Sequence, residues 1–279
     1  MAKGVSYSEA YFRGYREIKL FYRSWSSQGR KLPIIIVHGV GEHSGRYIDV
    51  GKYLSGLGHS VYAIDSRGNG RSQGRRGHVS RFDEYALDLK IFIDDLKADN
   101  VVILGHSLGG LIATRFAIDY PQKVAGIILS SPVLGLQMKV PLSKKILGYG
   151  LQALYPTFTI HDTLIPTNRL SHDEKVCRDY DNDPLVHRVR SARFFSEFMR
   201  AMEKTAKEPE RLKAPALFLQ AGDDRIVSAE CVKEFYERAG CTIKSLKVYR
   251  DFYHEILNEI EKDVVLKDIS LWLDSLPGR

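Results

Sequence analysis

The sequence predicts an α/β protein in which a mostly parallel central sheet, flanked by helices, is interrupted by one inserted helical cap. Three observations predict it. Short apolar runs rich in β-branched residues recur without polar alternation, the pattern of strands buried on both faces at the centre of a parallel sheet. Helical periodicity fills the intervals between them, which makes βαβ units. The alternation then breaks off after Leu129 for about seventy residues, too long for a structureless loop in a compact domain, and resumes at Ala216.

Taken in order, Tyr11 to Trp25 alternates as an opening antiparallel hairpin with Gly14 at its turn. The buried strands are Ile34–Val37, Ser60–Ile64, Val101–Leu104 and Val124–Leu129. Helices are expected over Tyr47–Leu57, Phe82–Ala98 and Leu108–Tyr120, the last closed by Pro121. In the interruption, Leu142, Ile146, Leu147, Leu151, Leu154 and Tyr155 fall at helical spacings, and Ser191 to Lys204 repeats the pattern with Phe194, Phe195, Phe198 and Met202. The strand Ala216–Leu219, a helix Ser228–Arg238, the strand Leu246–Tyr249 and a closing helix from about His254 to Leu276 complete the alternation. We therefore expect a core of residues 1–132 and 206–279 with a cap at 133–205. At 279 residues the chain is long enough for one such core.

The chemistry is concentrated at one motif. Gly105-His106-Ser107-Leu108-Gly109 is a G-x-S-x-G set between a buried strand and a helix, the context in which a serine is presented on a tight turn at the carboxyl edge of a sheet. A serine hydroxyl needs a base whose pKa is near the working pH, which means histidine. Of nine histidines, His254 follows the last expected strand and lies at the same edge, whereas His59 sits at the opposite edge and His161, His172 and His187 fall in the cap. His106 is expected to point away from the elbow as a packing or hydrogen-bonding residue. The orienting acid should follow a strand between serine and histidine in chain order. Asp224, in Gly222-Asp223-Asp224-Arg225-Ile226-Val227, is preferred because of its spacing from Val227, with Asp223 as the alternative. The oxyanion hole should combine the N–H of Leu108 with that of Val40 in the loop His38-Gly39-Val40-Gly41.

These residues resemble the monoacylglycerol lipase and lysophospholipase group of the α/β-hydrolase superfamily. His38 to Tyr47 is similar to that group's HGxGEHSGRY signature, Gly105 to Gly110 to its elbow, and Asp65 to Ser72 to the DxxGxGxS turn of the wider superfamily. Asp224-Arg225 and Tyr253-His254 fall where the group has its acid and base, and Asp183-Pro184-Leu185 is similar to a segment of its cap. The resemblance implies the α/β-hydrolase fold and hydrolysis of a carboxylic ester carrying one fatty acyl chain, under a helical lid. It covers the core and is weakest through Leu134–Arg178, the region that should choose the substrate.

Composition limits the alternatives. Hydrophobic residues at 44% and charged residues at 27% are those of an ordinary globular chain. The formal charge is +7, but basic and acidic residues are interleaved, so no nucleic-acid partner is expected. Only Arg67 to Arg81 concentrates arginine, and it reads as a solvated basic loop with weak attraction to anionic lipid as the minority reading. No apolar stretch has signal-peptide or membrane-spanning character, and three cysteines form neither a disulfide framework nor a metal-spaced set. A cytoplasmic protein, peripheral at membranes through transient contact of the cap, with a small lipid ester as substrate and neither cofactor nor metal, is expected. Serine at 107 argues against a dehalogenase or epoxide hydrolase, which need aspartate there. A short- to medium-chain carboxylesterase, a thioesterase, a peptidase or a perhydrolase could use the same residues, whereas a catalytically silent binding protein should lack part of the triad. Head group, lid state and oligomeric state stay open at this level.

Overall fold

The computed structural model describes residues 4–29, 31–137, 150, 152, 154–161 and 167–276. Its first element is a long hairpin, β1 (Val5–Arg13) paired antiparallel with β2 (Lys19–Ser27), closed by the Gly14 N–H donating to the Ile18 carbonyl. The alternating part follows: β3 (Lys31–Val37), α1 (Ile48–Gly56), β4 (His59–Ile64), α2 (Asp83–Asp95), β5 (Val101–His106), α3 (Leu108–Asp119) and β6 (Val124–Ser130). After the interruption come β9 (Ala216–Ala221), α6 (Ala229–Arg238), β10 (Lys244–Tyr249) and α7 (Lys262–Ser275). Eight strands make one sheet in the order β1-β2-β4-β3-β5-β6-β9-β10, antiparallel at the hairpin and where β2 meets β4, and parallel elsewhere.

Side-chain alternation explains why the central strands are apolar throughout. Ile35 and Val37 of β3 enter a core shared with α2, α3 and α6, while Ile34 and Ile36 enter the opposite core under α1 and α7. Both faces are dry. The chain winds from β3 out to β4 on one side and then to β5 on the other, so the strand order reverses between β3 and β5. Loops leaving the carboxyl ends of such a pair diverge and leave a crevice.

Between β6 and β9 the chain leaves the sheet. A short antiparallel ribbon, β7 (Thr159–His161) with β8 (Val189–Ser191), encloses α4 (Glu174–Asn182), and α5 (Ala192–Ala206) returns to the core. Asp173 caps α4 by accepting from the Lys175 N–H, and Ser191 caps α5 by accepting from the Phe194 N–H. Phe194, Met199 and Met202 bury the inner face of α5 in the main core. The expected first cap helix lies mostly outside the described residues.

Two expectations need correcting. The closing helix starts at Lys262 instead of His254, because Glu255 and Glu259 are engaged in side-chain contacts and the Glu255 N–H donates to the Leu170 carbonyl, so residues 254–261 form turns. Nor is Arg67–Arg81 simply a solvated basic loop. Arg67 is buried and paired with Asp88 and Glu84 of α2 at 2.7 and 2.6 Å, and Arg76 donates to the Gly68 and Gly70 carbonyls.

Candidate active site

Ser107 stands between β5 and α3 with φ 53° and ψ −115°, a backbone conformation that costs a non-glycine residue about 1–3 kcal/mol. Its surroundings hold it there: the Ser107 N–H donates to the Ser130 carbonyl at 2.9 Å, and its own carbonyl accepts from Val133 at 3.1 Å. The flanking glycines are steric necessities. A Cβ on Gly105 would come within 2.3 Å of the Gly109 carbonyl oxygen, and one on Gly109 within 2.0 Å of that of Val37. The turn is thereby tight enough to project the serine at the carboxyl edge of the sheet, and the Leu108 N–H begins a helix, where no intrahelical partner exists.

Asp224 and His254 reach the same edge on the loops after β9 and β10. These loops are stitched together: the Gly222 N–H donates to the Tyr249 carbonyl at 2.8 Å and the Asp223 N–H to that of Phe252 at 3.1 Å. His254 Nδ1 lies 2.8 Å from Asp224 Oδ2, and both side chains are buried. With the carboxylate accepting from Nδ1–H, Nε2 keeps its lone pair. Asp224 Oδ1 also accepts from the Ile226 and Val227 N–H groups, each at 2.9 Å. Burial pushes the Asp224 carboxyl up, but His254 and those two N–H groups outweigh it and hold the pKa below the usual value. Burial likewise pushes His254 down, and the Asp224 carboxylate outweighs it, so its pKa is raised. Asp223, by contrast, is exposed enough to pair with Arg225 at 2.7 Å.

Val40 lies in the turn after β3, beside the elbow because β3 and β5 are neighbours with Val37 opposite Gly105. Among the described residues its N–H has no hydrogen-bond partner. The loop is held from behind by Glu42, a residue whose importance the sequence reading did not identify. Glu42 Oε1 accepts from the Gly39 N–H at 2.6 Å and the Tyr47 hydroxyl at 2.7 Å, and Oε2 from Arg46 at 3.0 Å. Burial raises the Glu42 pKa, but Arg46 and its other partners bring it down to about 2. Arg46 in turn grips Glu255 with its two terminal nitrogens, Nη1 and Nη2, at 2.5 and 2.7 Å, and its guanidinium lies 4.7 Å from the centre of the Tyr180 ring of α4. One arginine thus joins the loop of Val40, the loop of His254 and the cap. The available signal was the signature itself, which holds Glu42, Arg46 and Tyr47 without giving their partners.

A cavity of about 290 Å³ opens among Gly39, Val40, His106, Ser107, His254 and Glu255, with Leu170, Tyr180 and Ile226 as further walls. Of the five residues expected from sequence, Val40, Ser107 and His254 line it, Leu108 follows Ser107 in the chain, and Asp224 stands behind His254. His106 packs and hydrogen-bonds as expected, its ring centre 4.9 Å from that of His254 and Nδ1 3.1 Å from both the carbonyl and the hydroxyl of Ser130, but it also lines the cavity, which was not expected. Burial, with His254 beside it, lowers its pKa to about 4, so it is neutral at physiological pH. The cap is latched over this site by His43 Nε2 to Asp183 at 2.8 Å and by His187 Nε2 to Asn69 at 2.9 Å. Among the described residues no group of three or more His, Cys, Asp or Glu side chains could hold a metal, and no helix is long and apolar enough to cross a membrane.

Comparison with known proteins places this arrangement among hydrolases. Residues 29–261 match the family model described as serine aminopeptidase, S33. The chain is 32% identical over 255 residues to phospholipase YtpA of Bacillus subtilis, covering 90% of this chain and 98% of that protein. It is 31% identical over 263 residues to the human monoglyceride lipase, covering 91% and 86%. Among solved structures, the monoacylglycerol lipase of Paleococcus ferrophilus superposes with a TM-score of 0.84 at 33% identity, over 92% of this chain and 98% of that one.

Proposed function

The chain belongs to the serine aminopeptidase S33 family of α/β-hydrolases, and from that membership we propose that Ser107 is its nucleophile, His254 the general base, Asp224 the orienting acid, and the Val40 and Leu108 N–H groups the oxyanion hole. It is a carboxylic ester hydrolase of the monoacylglycerol lipase group. The observation that carries the residue assignment is the buried Asp224–His254 pair at 2.8 Å sharing one cavity with Ser107 and Val40. His254 Nε2 takes the proton of Ser107 Oγ as that oxygen attacks the ester carbonyl, and the two N–H groups hold the oxyanion, each worth about 3 kcal/mol in such sites. Collapse breaks the ester C–O bond, and His254 returns the proton to the departing alcohol. Water then gives a proton to His254 and attacks the acyl-enzyme, releasing the fatty acid and restoring Ser107.

An aminopeptidase reading, suggested by the family's description, finds no free carboxylate to receive an N-terminal ammonium among the described residues that line the cavity. The two carboxylates nearest the cavity, Glu42 and Glu255, have all four oxygens engaged by Arg46, Gly39, Tyr47 and Asn258. We assign residues 1–132 and 206–279 to the catalytic core and 133–205 to a cap that covers a single acyl chain. We further place the enzyme in the cytoplasm, with transient membrane contact through the outer face of the cap. There Leu154, Tyr155, Phe158 and Ile160 are exposed beside Arg75, which donates to the Thr157 carbonyl.

The test uses a fluorophosphonate and an ester series. Ser107→Ala is expected to abolish both labelling and turnover, since the acyl-enzyme has no other site. Medium- and long-chain monoacylglycerols should be hydrolysed faster than triacylglycerols. Their kcat/KM should rise with chain length by at most about 0.8 kcal/mol per methylene until the cavity is filled. Labelling retained by the Ala variant would sink the nucleophile assignment, and butyrate esters outperforming decanoate would sink the lipid assignment alone.

A further inference from the structure

Glu259 is a buried carboxylate five residues after His254, and the triad makes no use of it. A carboxylate taken out of water needs donors on both oxygens. Glu259 finds them on two segments far apart in sequence. Oε1 accepts from the Tyr253 N–H at 2.8 Å and from His172 Nδ1–H at 2.9 Å. Oε2 accepts from the His172 N–H at 3.0 Å and lies 3.2 Å from the Ser171 hydroxyl. Tyr253 immediately precedes His254. Ser171 and His172 immediately follow Leu170, which lines the cavity together with Ser107 and His254.

Two further contacts run along the same seam. The Glu255 N–H donates to the Leu170 carbonyl at 2.8 Å, and the His172 ring stacks on Tyr253 with centres 3.7 Å apart. The loop of His254 and the cap segment at Leu170 therefore share one buried anchor. We propose that Glu259 is a positioning residue whose carboxylate locks the loop carrying His254 to the cap segment Leu170–His172, so that one contact sets both the base and the wall against which the acyl chain lies. The inference rests on the assignment of Ser107 and His254 made above.

Each oxygen faces a backbone N–H, that of Tyr253 on Oε1 and that of His172 on Oε2, so a glutamine would turn its NH₂ group toward an N–H in either orientation. Glu259→Gln is therefore expected to behave like Glu259→Ala despite its identical shape. Each should lower kcat on a nitrophenyl decanoate, and the rate of fluorophosphonate labelling, by about 100-fold, the effect of displacing a reacting group by about 1 Å. Each should also lower the ratio of kcat/KM for decanoate over butyrate about fourfold, the discrimination of one buried methylene. Loss of stability alone would leave that ratio unchanged.

Assays are made on protein shown to be folded by circular dichroism, well below its melting temperature. Should the Glu259 variants not fold, the double substitution Ser171→Ala with His172→Ala removes the cap-side side-chain donors while leaving the Tyr253 N–H bond. It should lower the chain-length ratio while affecting labelling less than tenfold. Wild-type labelling rates in folded Glu259→Gln, or a wild-type chain-length ratio in either set of variants, overturns the proposal. Failure of the wild-type enzyme to label would instead overturn the assignment of Ser107, so the two are separable.

Discussion

Asp224 accepts hydrogen bonds on both oxygens, from His254 on one side and from two backbone N–H groups on the other, and this arrangement has a pH consequence. As the proposed base, His254 must be neutral to accept the serine proton, and the carboxylate beside it raises its pKa above the ordinary 6.5. Activity is therefore lost as pH falls through a value above 6.5, where His254 becomes protonated. In Asp224→Asn the charge that favours imidazolium is gone, and the amide no longer selects the required tautomer. We expect kcat to fall about 10⁴-fold and the acid limb of kcat/KM for the residual activity to move to lower pH. A pH–rate profile checks both, and an unmoved limb would remove Asp224 from the role. Asp223→Asn is the control: its carboxylate pairs with Arg225 at the surface, and kcat should stay within about twofold, as for most exposed substitutions.

The stretch after β4 belongs to the scale of elements. Arg67 fastens it to α2 by donating Nε and Nη2 to Asp88 and Nη1 to Glu84, and Asp88 also accepts from the Tyr15 N–H at the turn of the first hairpin. Three elements meet on one guanidinium. Arg67→Ala would leave two carboxylates buried without their cation, which typically costs about 3–5 kcal/mol. A melting temperature lower by about 10 °C follows for a domain of this size. A thermal melt of the variant is the check, and a change below about 2 °C would show that the two carboxylates find water or protonate at little cost.

At the scale of the molecule, the proposed membrane face combines exposed apolar residues, which favour insertion into either kind of bilayer, with the basic Arg75, which favours an anionic one. Phe158→Asp combined with Ile160→Asp should lower partition onto phosphatidylserine-containing vesicles at least about tenfold, since each buried apolar side chain contributes about 1.5–3 kcal/mol. Turnover of a dispersed nitrophenyl ester should be unchanged. Co-sedimentation with anionic and with zwitterionic vesicles is the measurement, and equal binding by wild type and variant would place any membrane contact elsewhere. On the proposed assignment the molecule divides its labour: a core built from buried parallel strands would carry the reacting groups, and the cap would cover them and face outward.

What the sequence by itself determined is local in character. Strands apolar on both faces, helices at their own period, and a serine on a glycine-flanked turn are each specified by a few neighbouring residues, so the fold class was legible, and so was the turn that makes Ser107 the candidate nucleophile. The preference for Asp224 over Asp223 rested in the sequence on the spacing from Val227 alone, because adjacent carboxylates in a turn differ mainly in where they point, and the structure turns Asp224 inward to His254 and Asp223 to Arg225. Only the tertiary structure decided which charges are buried. Arg46, which holds Glu42, reaches Glu255 across 209 residues, His43 reaches Asp183 across 140, and Glu259 meets His172 across 87. Arg67 looks solvated in a run of arginines until α2 brings it two carboxylates, and the stretch from His254 suits a helix until its glutamates find partners elsewhere. A charged side chain can leave water only where its partners arrive from other segments, and that meeting is a property of the packed chain.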